Sequence, residues 1–152
     1  MVRKGLQMTA GEYRAFAEFR YVLRCFLNFS ETAARGARIE PQQHQLLLAL
    51  KGLPTDLRPT IRALAERLQL RHNSTVELVQ RSIESGLVER RTGTLDRREV
   101  LVNITPRGER LLARLSMAHR AHMRSRAPEL IRTLEGLVAS GNKQRKAPKK
   151  EK

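Results

Sequence analysis

The sequence predicts a mainly α-helical protein with one small β-hairpin. Three observations point there: apolar residues recur at helical spacing through most of the chain, and the period switches to that of strands only between Gly86 and Ile104. The composition is 40% hydrophobic with only 4% aromatic residues and no tryptophan, a profile that leans towards helix. At 152 residues the chain has the size of one domain or one compact protomer.

Between Glu12 and Arg35 no Gly or Pro interrupts the chain. Tyr13, Phe16, Leu23, Phe26 and Leu27 follow helical spacing, which predicts one long helix over 10–35. Phe19, Val22 and Phe29 widen its apolar surface beyond one stripe, so it packs on more than one neighbour, a second subunit among the options. Gly36 is placed as its C-terminal cap, and Pro41 suits the first turn of a second helix running to Leu50. Pro54 and Pro59 bracket a loop. TIRALAERLQL then gives a short helix with Ile61, Leu64, Ala65 and Leu68 on one side, and residues 74–85 a further helix with Val76, Val79 and Ile83 turned inward. That helix stops at Gly86. Residues 87–91 and 99–104 are short, rich in β-branched side chains and separated by a turn containing Gly93 and Asp96, a hairpin signal. Thr105 as cap and Pro106 as first residue restart a helix. Pro128 is expected to divide the C-terminal helical region into 106–126 and 128–139, and Gly141 to begin a tail.

Two short helices joined by a tight turn and followed by a two-stranded ribbon make a winged helix-turn-helix, whose second helix enters a DNA major groove. Charge agrees with such a partner. Thirty Lys and Arg stand against fifteen Asp and Glu, a formal net charge of +15 with a pI near 11.4, which favours a polyanion. The excess is uneven: residues 111–152 carry 11 basic and 3 acidic groups, many of them in the tail NKQRKAPKKEK. Cys25 is the single cysteine, which excludes an intrachain disulfide framework and fits a reducing cytoplasm. No signal-peptide pattern or membrane-length apolar run is present, and no membrane partner is expected. Gly-rich phosphate loops, nucleophile elbows and triads are missing too, so no enzyme activity and no cofactor are expected.

The segment LAERLQLRHNSTVELVQRSIESGLVERRTGTLDRREVLVNITPRGERLL resembles the DNA-binding lobe of the MarR family, the multiple antibiotic resistance regulators. The resemblance rests on Arg81, Gly86-Leu87-Val88, Arg90-Arg91, Asp96-Arg97-Arg98 and Ile104-Thr105-Pro106-Arg107-Gly108, in that order and at these spacings. It covers about a third of the chain, and with the PQQHQLLLAL helix and the long terminal helices the layout is similar over some 130 residues. The sequence departs from the family at Ser82, where leucine is usual, and at Arg71-His72, where a small polar cap is commoner. The resemblance implies a ligand-responsive transcriptional regulator that binds a palindromic duplex as a homodimer, typically as a repressor. Residues 10–35 and 106–139 would form the helical dimerisation region, 41–104 the winged helix-turn-helix, and 140–152 a basic, disordered tail. Leu111, Leu112, Leu115, Leu130, Ile131, Leu134 and Leu137 independently suggest an intersubunit core.

Arg71, His72, Asn73, Ser74 and Thr75 cluster at a helix N-terminus, where backbone N–H groups favour a phosphate. Asn73 and His72 can read base edges, and Ser74 and Thr75 can bond bases or phosphates; alternatively Asn73 or Ser74 simply caps the helix. Arg97 and Arg98 sit on a hairpin too short to bury them, and a hairpin tip suits a minor groove. Asp96 is a poor DNA contact but can order the turn. The resemblance makes Arg98 the residue that reaches the groove and Asp96 its support. Arg58, Arg62, Arg67, Arg81, Arg90 and Arg91 can flank the site as phosphate contacts, or be tied up by Glu66, Glu77, Glu84, Glu89 and Glu99.

Many proteins of this family bind a small aromatic or phenolic effector between the dimer lobe and the DNA lobe. Phe26, Phe29, His44 and Leu47 are the candidates for such a pocket, with core packing as the alternative. Cys25 reads as structural, since the peroxide-sensing cysteines of the family lie further upstream of the second helix. His119 and His122 have a spacing that can share a metal, but two ligands are not a site and none is expected. The rival to a regulator is a sequence-tolerant architectural nucleic-acid-binding protein held mainly by its charge.

Overall fold

The computed structural model describes residues 8–93 and 99–145. Its elements follow in the order α1 (Ala10–Gly36), α2 (Pro41–Lys51), α3 (Ile61–Leu68), α4 (His72–Glu84), β1 (Val88–Thr92), β2 (Val100–Ile104) and α5 (Pro106–Arg145). The chain divides into two compact units, one of residues 30–119 and one of the segments before and after it. No helix among the described residues is long and apolar enough to cross a membrane.

Residues 30–119 hold the winged helix. Its core joins Leu46 and Leu47 of α2, Leu64 of α3, Leu78 and Val79 of α4, Leu87, Val88 and Val102 of the hairpin, and Leu112 of α5. The hairpin pairs Val88 with Ile104 and Thr92 with Val100, and Gly93 N–H donates to the Glu99 carbonyl at 2.8 Å. A third, minimal strand lies beside it: Thr60 bridges Leu101, and Val102 N–H donates to the Pro59 carbonyl at 2.9 Å. Arg58 forms an ion pair with Glu99 beside that bridge. The loop before α3 is therefore fastened to the wing.

Three helices end alike. In α1 the Arg38 N–H reaches the Arg35 carbonyl and the Ile39 N–H reaches the Ala34 carbonyl; Gln69 and Leu70 close α3 in the same way, and Gly86 and Leu87 close α4. This double closure needs a left-handed residue, and Arg38 (φ 61°), Gln69 (φ 53°) and Gly86 (φ 68°) supply it. Gly36, expected to be the cap of α1, is instead its last helical residue. Thr105 does cap α5: its Oγ1 accepts from Gly108 N–H at 3.1 Å and donates towards the Gly86 and Leu87 carbonyls at 2.7 and 3.1 Å.

The C-terminal helix is not divided. α5 runs through Pro128 and past Gly141 to Arg145. Proline removes one N–H, so only the Arg124 carbonyl loses its helical partner, and Pro128 is on an exposed face where water can replace it. In the other unit, α1 buries Val22, while Tyr13, Phe16, Leu23, Leu27, Ile131, Leu134 and Val138 stay exposed in the single chain.

Candidate nucleic-acid interface

α4 starts at His72, two residues before the expected start, with Arg71 in extended conformation (φ −68°, ψ 151°) as its N-cap. Neither Asn73 nor Ser74 is the cap, and the Arg71 side chain makes no capping hydrogen bond. The first helical N–H bonded within the chain is that of Thr75, which reaches the Arg71 carbonyl at 3.0 Å. The amides of His72, Asn73 and Ser74 thus head the helix without an intrahelical carbonyl, and helix geometry points them outward along the axis. Arg71, His72, Asn73 and Ser74 are all exposed. A guanidinium, an imidazole, a carboxamide and a hydroxyl therefore surround three donor N–H groups at the positive end of a helix dipole. That arrangement can accept a phosphate and present Asn73 to a base edge.

Thr75 does not join them. It is fully buried, and its Oγ1 donates back to the Arg71 carbonyl at 3.1 Å. The inward stripe of α4 is Thr75, Leu78, Val79 and Ser82, whose Oγ donates to the Leu78 carbonyl at 2.8 Å. Val76 and Ile83 are only half-buried. Ser82, placed where a leucine would project further, satisfies its hydroxyl locally and remains completely covered.

Some of the flanking arginines are tied to carboxylates. Arg81 Nε donates to Glu40 at 3.3 Å near the far end of α4, and Arg91 is held by its strand neighbour Glu89 at 2.6 Å. With Arg58 on Glu99, three of the six flanking candidates have carboxylate partners, and two of those partners, Glu89 and Glu99, are among the glutamates expected to take them. Arg62, Arg67 and Arg90 are exposed. Asp96, Arg97 and Arg98 lie outside the described residues.

The four candidate ligand residues fall in different units. Phe26 and Phe29 belong to the unit formed by the chain's outer segments; Phe29 stacks on His122 with ring centroids 3.9 Å apart, and Phe26 lines an apolar cavity of about 190 Å³ with Val22, Met123 and Leu130. His44 and Leu47 belong to residues 30–119, where Leu47 is fully buried core. His44 is buried with its ring 4.7 Å from that of His119, and burial, then the nearby imidazole, lowers its pKa. His119 Nδ1 lies 2.6 Å from the Leu115 carbonyl, which can only accept, so Nδ1 carries the proton and Nε2 can accept from Ser30 Oγ at 2.8 Å. Cys25 is half-buried and lies one turn after Tyr21, whose pKa it raises. No group of three or more His, Cys, Asp or Glu among the described residues is placed to hold a metal.

Sequence reasoning missed two features of this unit. Gln43 joins α2 to the end of α4: its Oε1 accepts from Glu40 N–H at 3.0 Å, and its Nε2 donates to Ser85 Oγ at 3.1 Å and the Arg81 carbonyl at 3.3 Å. Arg107, Arg110 and Arg114 share one face of α5 with Arg38 beside them. The α5 spacing was visible in the sequence; the approach of Arg38 needs the fold.

Helices α2 to α4, the fastened hairpin and the exposed start of α4 define a winged helix-turn-helix. Residues 39–99 match the model of the MarR family. Comparison with curated proteins gives no match. Among solved structures, AbsC, a MarR family transcriptional regulator from Streptomyces coelicolor, is 20% identical with a TM-score of 0.66, over 78% of this chain and 80% of AbsC. CouR from Rhodococcus jostii, bound to p-coumaroyl-CoA, is 24% identical with a TM-score of 0.59, over 69% of this chain and 73% of CouR. A MepR variant from Staphylococcus aureus, bound to an oligodeoxyribonucleotide, is 18% identical with a TM-score of 0.61, over 90% of this chain and 96% of MepR. At these identities the likeness is one of fold.

Proposed function

We propose that this protein is a cytoplasmic transcriptional regulator, acting as a repressor, which binds a palindromic DNA duplex as a homodimer and is released by a small aromatic or phenolic effector. The observation that carries the reading is the start of α4, where Arg71, His72, Asn73 and Ser74 are exposed around unpaired helix N–H groups. Arg90 on the hairpin stem is exposed and is a further candidate contact, and Arg97 and Arg98, with Asp96 beside them in sequence, are proposed for the minor groove by resemblance alone. Thr75 supports the site only from within. The apolar side chains exposed on α1 and the second half of α5 support a homodimer, because a second copy would cover them. The effector reading draws on CouR, which is bound to p-coumaroyl-CoA.

In a homodimer the two recognition helices would meet half-sites about one helical turn apart, ~34–36 Å. Fluorescence titration against genomic fragments, including the region upstream of the protein's own gene, tests this. One fragment should bind far more tightly than random DNA at physiological salt; equal affinity for all fragments would falsify the regulator reading. The charge of +15 favours a second reading, a sequence-tolerant architectural binder. Deleting residues 142–152 separates them: a regulator keeps its preference for one site, whereas an architectural binder loses most of its affinity.

A further inference from the structure

Residues 30–119 contain a cavity of about 420 Å³ between the α1–α2 connection and the start of α5, lined by Arg38, Arg107, Arg110 and Arg114 with Ile39 and Leu111. No carboxylate lines it. None of the four guanidinium groups forms an ion pair with a described residue, whereas Glu109 on the same helix is turned to Lys51 at 2.7 Å. The four arginines are exposed, and their positive charges border the cavity with no carboxylate in its lining.

Helix energetics do not explain this placement. Arg107 stands in the first turn of α5, where the dipole disfavours a cation, and Arg107, Arg110 and Arg114 are like charges at i, i+3 and i+7, which repel along one face. Arg38 takes a left-handed conformation that favours glycine. Nor does the cavity extend the DNA-reading surface. Arg107 lies over Gly86, 3.7 Å from where a Cβ would stand, at the C-terminal end of α4. The start of α4 is about 18 Å away along a 13-residue helix.

We propose that this cavity binds a small organic phosphate carrying two or more negative charges. The guanidinium forks take the phosphoryl oxygens in charge-assisted pairs, and Ile39 and Leu111 meet the apolar part of the molecule. The volume is within the usual range for a small-molecule site, ~300–1,000 Å³, and exceeds what an inorganic phosphate needs.

Calorimetric titration of the full chain with ADP, pyrophosphate and citrate at low salt tests the proposal. ADP and pyrophosphate should bind the wild-type protein, and R110Q/R114Q should weaken both by about tenfold or more. R71Q, altered at the start of α4, should keep its ADP affinity while losing duplex affinity, so failure here is distinguishable from failure of the DNA reading. R38G removes one guanidinium without straining the backbone and should weaken ADP in a chain that folds normally. Equal ADP affinity in wild type and R110Q/R114Q, or no binding to the wild type, overturns the site. Citrate binding more tightly than pyrophosphate overturns the phosphate assignment. A loss of duplex affinity in R110Q/R114Q without a change in ADP binding makes these arginines DNA-backbone contacts and overturns it as well.

Discussion

Asn73 and Thr75 stand two residues apart on α4 and have opposite fates, which makes them a direct test of the interface. Asn73→Ala should lose about 1–3 kcal/mol of discrimination at one base pair, read as flattened affinities across operator variants. Thr75→Ala should leave discrimination alone and lower stability instead, since its hydroxyl is buried and bonds the Arg71 carbonyl. Arg98→Ala should weaken duplex binding with no change in the unfolding midpoint; unchanged affinity would make that turn a solvated one. The inward face of α4 was hard to read because two of its four positions, Thr75 and Ser82, are small and polar. A stripe sought by apolar side chains passes over them. His44 gives a pH dependence. Its folded pKa lies below the ordinary 6.5, so the unfolded chain binds the proton first as pH falls. The neutral ring's contribution to stability is complete above about pH 6.5 and is lost as the pH drops from there towards the folded value. Urea midpoints should therefore fall more between about pH 7.5 and 5.5 in wild type than in His44→Leu.

At the scale of elements, the helices and hairpin were legible because period, Pro and Gly mark them, and the four helices before the hairpin stand within two residues of where the spacing put them. What escaped depended on contacts between elements. The left-handed end of α1 falls on Arg38 rather than Gly36 because the closing hydrogen bonds run to Ala34 and Arg35. Pro128 marks no boundary, since one lost hydrogen bond on a solvated face does not end a helix. The root of the hairpin is a tight junction. A Cβ on Gly108 would stand 2.2 Å from the Leu87 carbonyl oxygen and 2.8 Å from Ile104 Cγ2. Gly108→Ala should therefore cost about 1–3 kcal/mol or more. Thr105→Val, which loses the cap and takes the hydroxyl from the Gly86 carbonyl while the Leu87 carbonyl keeps the residue's backbone N–H, should cost about 1–2 kcal/mol. Thermal unfolding checks both, and a wild-type midpoint in Gly108→Ala would mean that strand and helix can separate at no cost.

For the whole molecule, the exposed apolar side chains make association the quantity to measure. Ile131→Asp should convert a dimer to a monomer in light scattering and abolish preference for a palindrome while retaining weak affinity for any duplex; a monomeric wild type at micromolar concentration would sink the homodimer. The candidate site was only partly legible at this scale. The basic start of α4 is local in sequence, but the four-arginine cavity joins residues some seventy positions apart, and no periodicity foretells that. The same cavity borders the junction that carries the wing. Thr105 and Gly108 hold Gly86 and Leu87, and Arg107 lies between them in sequence and over Gly86 in space. That junction joins the first turn of α5 directly to the start of β1 through the Thr105 hydroxyl, so a displacement of that turn would be felt by the strand. If an anion draws Arg107 inward, thermodynamic reciprocity requires the operator to alter the anion's affinity by the same factor by which the anion alters the operator's.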